Sequence, residues 1–548
     1  MHGRLIRKLS IALLLGLALA GPALAAHPAP VAGPEPLDWQ VLPIALTFLL
    51  PVGFILLGLA ALPEEQAVSA MTGAWVAWGL ATLAYFGVGF AFQFGGIAVF
   101  ADDPGLASLY WEYSLLDTTW GTGWGMLGLK GFLLLGEVAT ASALTLFLAQ
   151  LPLLGVATLI LYFALHGRAP RWIALFSSLL MGSLVYPIVA NWVWAGGWLA
   201  NLGRNLGEGH GLIDAGGSGQ VALVGAAAGL AALLVFHRSQ NAAPTPERAP
   251  GDASPVSPLM GDPEAAEPQL ILMPPVHLPL LGLLGAALMM IGWTGMALMV
   301  HLPTAADISA TAMATNLVLG GLGGALAASL YSWFATSHLN PLMGARGLAA
   351  GLVVVAAGAP FIPAWSALAA GLLIGLLLPL LIFFFDHVLR LDDTSAVSAT
   401  FGVPAVLALL LPALVADGRS GLGWNRVGAE SFLGVAGQGV SGWLVAPGYA
   451  IDWPGQAYAQ LVGMVAVFVW SFGLNWLLLR ILVSLINAWE RSGLEFGPAP
   501  EPAGLEEEPS LPPREEAQQP GRAERPGLAG SQAIAEQDVG QAANAPQA

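Results

Sequence analysis

The chain has 548 residues, of which 56% are hydrophobic and only 9% charged, with a formal charge of −16 and no cysteine. Soluble domains carry about 25% charged residues, so this composition excludes a soluble globular protein over most of the length and points to a lipid bilayer as the surroundings. Lack of cysteine excludes a disulfide framework and a thiolate metal site, and the acidic excess marks no binding field, because many of the acids lie after Trp489.

In chain order, residues 1–26 read as a secretory signal peptide. Arg4, Arg7 and Lys8 form a basic start, 11–20 a short apolar core, and Ala23-Leu24-Ala25 a small-residue cleavage pattern. The alternative is an uncleaved first membrane helix, for which the apolar run is short. Apolar segments then follow at about 41–62, 75–100, 139–165, 172–199, 216–236, 278–302, 309–334, 347–358, 365–385, 397–416 and 458–487. Judged against the roughly 20 residues that a bilayer demands, they make about eleven transmembrane helices within a body of residues 38–490. The patch 126–136 is too short to span and reads as re-entrant or surface structure. Lys130 and Glu137, seven apart, would share a face on a helix there and could pair.

Residues 239–275 and 491–548 are rich in Pro, Ala and acids. Neither buries enough apolar surface to offset its ordering entropy, so they read as a flexible cytoplasmic linker and a disordered cytoplasmic tail. The linker separates five spans from six, where an inverted five-plus-five repeat with one extra helix would be joined. With the N-terminus outside, Arg168, Arg171, Arg238, Arg248, Arg346 and Arg390 fall in inner loops, and Lys130, Arg204, Arg419 and Arg426 in outer ones. That bias supports a multi-pass protein of the cell membrane with its C-terminus inside.

Two segments carry the most specific signal: Tyr186-Pro-Ile-Val-Ala-Asn-Trp-Val-Trp-Ala-Gly-Gly-Trp-Leu199 and Asp214-Ala-Gly-Gly-Ser-Gly-Gln-Val-Ala222. Together they resemble the pore-building core of the ammonium transporter (Amt/Rh) family, whose second segment usually reads Asp-Phe-Ala-Gly-Ser-Gly-Val-Val-His. Gln150, Arg168, Gly292-Trp-Thr-Gly295, Asn316 and Leu391-Asp392-Asp393 match further family signatures in the same order. The resemblance implies a homotrimer with one narrow pore per subunit, a recruitment site beside a tryptophan, a phenylalanine gate, and two facing histidines in an apolar conduit.

Carried over residue by residue, the resemblance puts Trp194 at the pore mouth and Asp214 in a structural, capping role. The mouth serine falls on Val300 and the gate positions on Met296, Ala149 and Leu153. The first pore histidine falls on Ala222. The second falls on Phe401, or on Pro404 if Phe401-Gly-Val403 is matched to the family's Phe-Gly-Val-His variant. None of these residues can carry a proton. The nine histidines all lie in tails, loops or span ends; His301, near Val300, reads either as a mouth ligand or as a solvated interfacial side chain.

No phosphate loop, nucleophile motif, metal cluster or nucleic-acid signature appears, so neither an enzyme nor a cofactor is expected. The expected function is an Amt/Rh-like transporter or channel for ammonium, ammonia or another small neutral solute. The alternative is a non-conducting sensor or assembly subunit on the same scaffold. The tail does not resemble the family's regulatory tail, which argues against a PII-type regulator.

Overall fold

The computed structural model describes residues 41–237, 277–299, 308–391, 393 and 395–491. The signal segment, the linker and the tail lie outside the described residues, as do Val300 and His301. Helix dominates. In chain order the long helices are α1 (Val41–Leu59), α2 (Glu64–Val99), α3 (Ala141–Leu165), α4 (Arg171–Trp194) and α5 (Ser218–Val235), then α6 (His277–Met299), α7 (Ala310–Thr336), α8 (Pro341–Ala356), α9 (Ala364–Val388), α10 (Ser398–Val415) and α11 (Gly455–Arg491). All but α8 are long and apolar enough to cross a membrane; α8 is a shorter apolar helix of 16 residues. This is an all-α polytopic membrane fold.

The ends of the spans differ from the hydropathy reading for local reasons. α2 starts at Glu64, eleven residues before the apolar run, because two acids in its first turn suit the positive end of the helix dipole. α4 stops at Trp194 rather than at 199, since Gly196 takes a positive φ of 80°. α8 begins earlier than expected, at Pro341, where the Asn340 side chain accepts from the amides of Leu342 and Met343. The stretch 126–136 is surface structure, not helix. β1 (Glu112–Tyr113) pairs antiparallel with β2 (Leu127–Gly128), and a short 3-10 turn follows. Lys130 and Glu137 therefore share no helix face; Lys130 instead sits 5.7 Å over the Tyr110 ring. A second small hairpin joins β3 (Ser431–Phe432) to β4 (Val435–Ala436).

Small residues set the packing. Water is absent on both sides of a helix–helix contact in a bilayer, so close backbone approach and dispersion replace the hydrophobic effect. α1 lies against α6, with Gly53 facing the backbone of Gly285 and Met289. α7, α8 and α9 form one tight cluster. A Cβ on Gly347 or Gly375 would strike the backbone of Gly324, and one on Gly351 or Gly371 that of Gly320. α11 packs across α5 and α10, tying the last helix to both halves of the chain. Five spans also contain a π-helical segment, at Tyr85–Gly89, Met181–Val185, Ser218–Leu223, Phe384–Val388 and Ser398–Gly402. Such widened turns are frequent at functional positions.

The glycine contacts make a stability prediction. Gly371→Val places a branched side chain against the Gly320 backbone, which cannot move aside as a flexible side chain would. Its thermal midpoint in detergent should fall well below the parent, by the equivalent of roughly 3 kcal/mol. Gly79→Val, where nothing lies within 4 Å of the added atom, should leave the midpoint nearly unchanged. Equal midpoints for both variants would show that the helix cluster is not packed in this way.

Candidate functional site

The connection from α4 to α5 builds the site. Between Trp194 and Ser218 the chain is mostly non-helical yet fully buried near its end, so its amides and carbonyls need partners that a helix would have supplied. Side chains from four other elements provide them. The Trp194 indole N–H donates to the Asp214 carbonyl at 2.7 Å, and that of Trp293 on α6 to the Gly216 carbonyl at 2.9 Å. The Ala215 amide donates to the Ala357 carbonyl at 2.9 Å. The Ser218 hydroxyl donates to the Val353 carbonyl at 2.7 Å and accepts from the Ala357 amide at 2.9 Å. On α11, Gln456 accepts from the His210 amide and donates to the Gly211 carbonyl, both at 2.9 Å; Gln460 brackets Ile213 in the same way, at 2.7 and 3.0 Å.

Asp214 completes the turn into α5. Its Oδ2 accepts from the amides of Gly219, at 3.0 Å, and Gln220, at 2.8 Å, orphans of the helix start. Gly217 precedes them with a positive φ of 78°, a conformation that strains any other residue. Burial pushes the Asp214 carboxyl up to about 6, and the backbone amides of Gln220 and Gly219 pull the other way. The second half repeats the device. Asp393 accepts from the amides of Val397 and Ser398, at 3.1 and 2.8 Å, where α10 opens in its own π-helical turn.

The π-helical openings of α5 and α10 pack against each other. A Cβ built on Gly402 would lie 3.3 Å from that of Ala226. Ala222 and Phe401 sit on these two segments. The Phe401 ring lies 4.9 Å from that of Phe54 on α1, and Phe54 lies 6.0 Å from Phe163 on α3. Met296 is on α6, Ala149 and Leu153 are on α3, and Pro404 is at the start of α10 proper; all are buried. Across Trp194, Ala222, Phe401, Met296, Leu153 and Ala149, fractional exposure runs from 0 to 8%. A water molecule touches almost none of this surface. Among the described residues no group of His, Asp or Glu could hold a metal ion.

A polar network close to Ala222 escaped the sequence reading. The Tyr186 hydroxyl of α4 donates to Gln150 Oε1 of α3 at 2.7 Å. Gln220 Nε2 of α5 donates to the Tyr186 hydroxyl at 2.8 Å and to Gln150 Oε1 at 3.2 Å. Three helices are thereby joined inside the membrane body by neutral groups. The available signal was a glutamine two residues before Ala222 in an otherwise apolar run, since a polar side chain within a span is a site candidate by default.

The family described as the Ammonium Transporter Family has a sequence profile that matches residues 38–259 and 272–493. Ammonium transporter Amt2 of Archaeoglobus fulgidus is 26% identical over 470 residues, covering 85% of each chain. Ammonium transporter Amt2 of Haloferax mediterranei is 27% identical over 393 residues, 68% of this chain and 74% of its own. Among solved structures, a sensor Amt protein superposes with a TM-score of 0.60 at 20% identity, covering 84% of this chain and 97% of its own. Mep2 of Candida albicans superposes with a TM-score of 0.58 at 19% identity, covering 80% and 82%. At these identities the two structures speak for the fold alone.

The raised Asp214 carboxyl sets a pH window. Its folded pKa of about 6 exceeds the unfolded value near 4, so the folded state holds the proton more tightly. Stability contributed by this group should therefore decline as pH rises from about 4 through 6 and level off above. Thermal midpoints of Asp214→Asn should lack that slope, whereas Asp214→Ala should lose about 1–3 kcal/mol at every pH by leaving two buried amides unpartnered. A wild-type midpoint that climbs across this window would contradict the assignment.

Proposed function

The chain belongs to the ammonium transporter family, and from that premise we propose that it conducts a small neutral solute, ammonia in the first instance, without moving net charge. The supporting observation is the pair Ala222 and Phe401, a methyl group and a phenyl ring in place of proton-accepting imidazoles, on the two packed π-helical segments. Histidine suits a proton relay because it titrates near neutrality. A methyl and a phenyl accept no proton, and crossing an apolar passage as an ion costs the full desolvation penalty. The mouth favours the same species. Met296 offers a cation less than an aromatic face does, and Trp194 spends its N–H on the Asp214 carbonyl.

We place the N-terminus outside after signal cleavage and the C-terminus in the cytoplasm, and we take the working form to be a homotrimer in the bilayer. The substrate reaches the protein as a small molecule, and no cofactor takes part. A second reading draws on one observation: the Phe401 ring packs against that of Phe54, and the site positions are buried. A family member shut in this way would act as a sensor or assembly subunit, its closed state responding to the solute without passing it.

Purified protein in vesicles, challenged with an ammonium gradient at alkaline pH, separates these readings. Neutral passage predicts a rise in lumenal pH with no accompanying current. Introducing both Ala222→His and Phe401→His should add an ammonium-dependent current. A sustained wild-type current that Trp194→Leu abolishes would overturn neutral conduction, and wild-type vesicles no more permeable than protein-free ones would establish the non-conducting reading.

A further inference from the structure

A cavity of about 10 Å³ lies beside the Phe401 ring, walled by Phe54, Phe163, Phe401, Ser395, Thr400 and Arg346, among others. That is the room one water-sized molecule needs. Thr400 is fully buried, and its hydroxyl has no partner within the protein. Several other hydroxyls in the spans behave differently, although those of Ser398 and Ser471 are, like that of Thr400, without a partner. Those of Thr47, Thr158, Ser178, Ser183 and Thr294 each donate to the carbonyl four residues back, at 2.8–2.9 Å. In the π-helical opening of α10 the corresponding Ala396 carbonyl accepts the Thr400 amide at 2.8 Å, but the Thr400 hydroxyl makes no such bond. A buried hydroxyl left unmet in an apolar surrounding is destabilising, and such a group calls for an occupant.

We infer that this cavity is a binding station for one small neutral molecule that both donates and accepts hydrogen bonds, ammonia or water, with Thr400 as its ligand. The choice of ammonia rests on the transport reading; the station itself does not. The chemistry of the wall selects the guest. Threonine both donates and accepts. Ammonium is itself all donors and offers the Thr400 proton no acceptor, so it is the wrong complement. Ammonia and water each bring a lone pair. Size sharpens the choice, because a cavity for one heavy atom rejects a methylated amine. The station lies next to the ring that replaces the second pore histidine, so Thr400 would supply, without titrating, a hydrogen-bonding stop in an otherwise apolar stretch.

The test uses the full chain in lipid nanodiscs and vesicles, comparing wild type, Thr400→Val and Thr400→Ser. A high-resolution structure of the wild type should show a peak within hydrogen-bond distance of the Thr400 oxygen, and Thr400→Val should lack it. Ammonia entry, read as lumenal pH, should fall about fivefold in Thr400→Val, the worth of one modest hydrogen bond. It should stay within about twofold in Thr400→Ser. Methylamine should enter the wild type more slowly than ammonia. The thermal midpoint of Thr400→Val should be equal to or below that of the wild type. An empty cavity together with a higher midpoint for Thr400→Val would overturn the station, because the variant would merely have removed an unmet hydroxyl. If the wild type passes no ammonia, the peak and the midpoint still decide the station, so the two failures are distinguishable. A midpoint gap between wild type and Thr400→Val that widens with ammonia at pH 9 identifies ammonia as the guest; a constant gap identifies water, and either result supports the station.

Discussion

Inside a protein no water stands ready to satisfy an amide or a carbonyl, and the buried segment from His210 to Ser218 is built around that constraint. A helix meets it automatically. This segment does not, because it must leave α4, turn and enter α5 while buried. Its polar groups are met instead by Trp194, Trp293, Ser218, Gln456, Gln460 and the Asp214 carboxylate. Apart from Asp214, which lies in the segment itself, those side chains come from α4, α5, α6 and α11, so satisfying one short stretch of backbone fixes how four helices meet. The Ala357 backbone, just after α8, adds a fifth tether.

The glycines act on the same geometry from the other side. α7, α8 and α9 approach closely at Gly320, Gly324, Gly347, Gly351, Gly371 and Gly375, which brings the end of α8 within reach of Ser218 and Ala215. Had those helices been held apart by larger side chains, the contacts to the α8 end would be lost. Small residues in one helix cluster and hydrogen-bonding side chains in another segment are thus two parts of one solution.

At the centre of the fold the π-helical openings of α5 and α10 meet. Asp214 and Asp393 cap the two π-helical openings alike, and those openings carry Ala222 and Phe401. The neutral set Gln150, Tyr186 and Gln220 joins α3, α4 and α5 close by. Neutral amides and hydroxyls bond a solute but move no proton at ordinary pH, which suits a path for an uncharged molecule or a closed sensor better than a path for an ion.

Much of this was legible in the chain. Hydropathy alone marked the spans, because a bilayer enforces length and apolarity on every helix. The two segments from Tyr186 and Asp214 marked the family, because those motifs carry order and spacing as well as composition. The capping role of Asp214 followed from a carboxylate just ahead of a helix start. Hydropathy misjudged the start of α2 and the end of α4, because a helix boundary depends on caps and on one glycine's φ rather than on apolarity. The helix imagined around Lys130 failed because a hairpin there pairs with residues more than ten positions earlier. Sequence by itself determined which residues cannot relay a proton, since that is a property of side-chain chemistry. Only the tertiary structure decided that Phe401 closes on Phe54, that Gln220 meets Gln150 and Tyr186, and that Thr400 is left unmet beside a cavity. Each of those depends on residues far apart in the chain being brought to within a few ångströms, and local pattern carries no record of such distances.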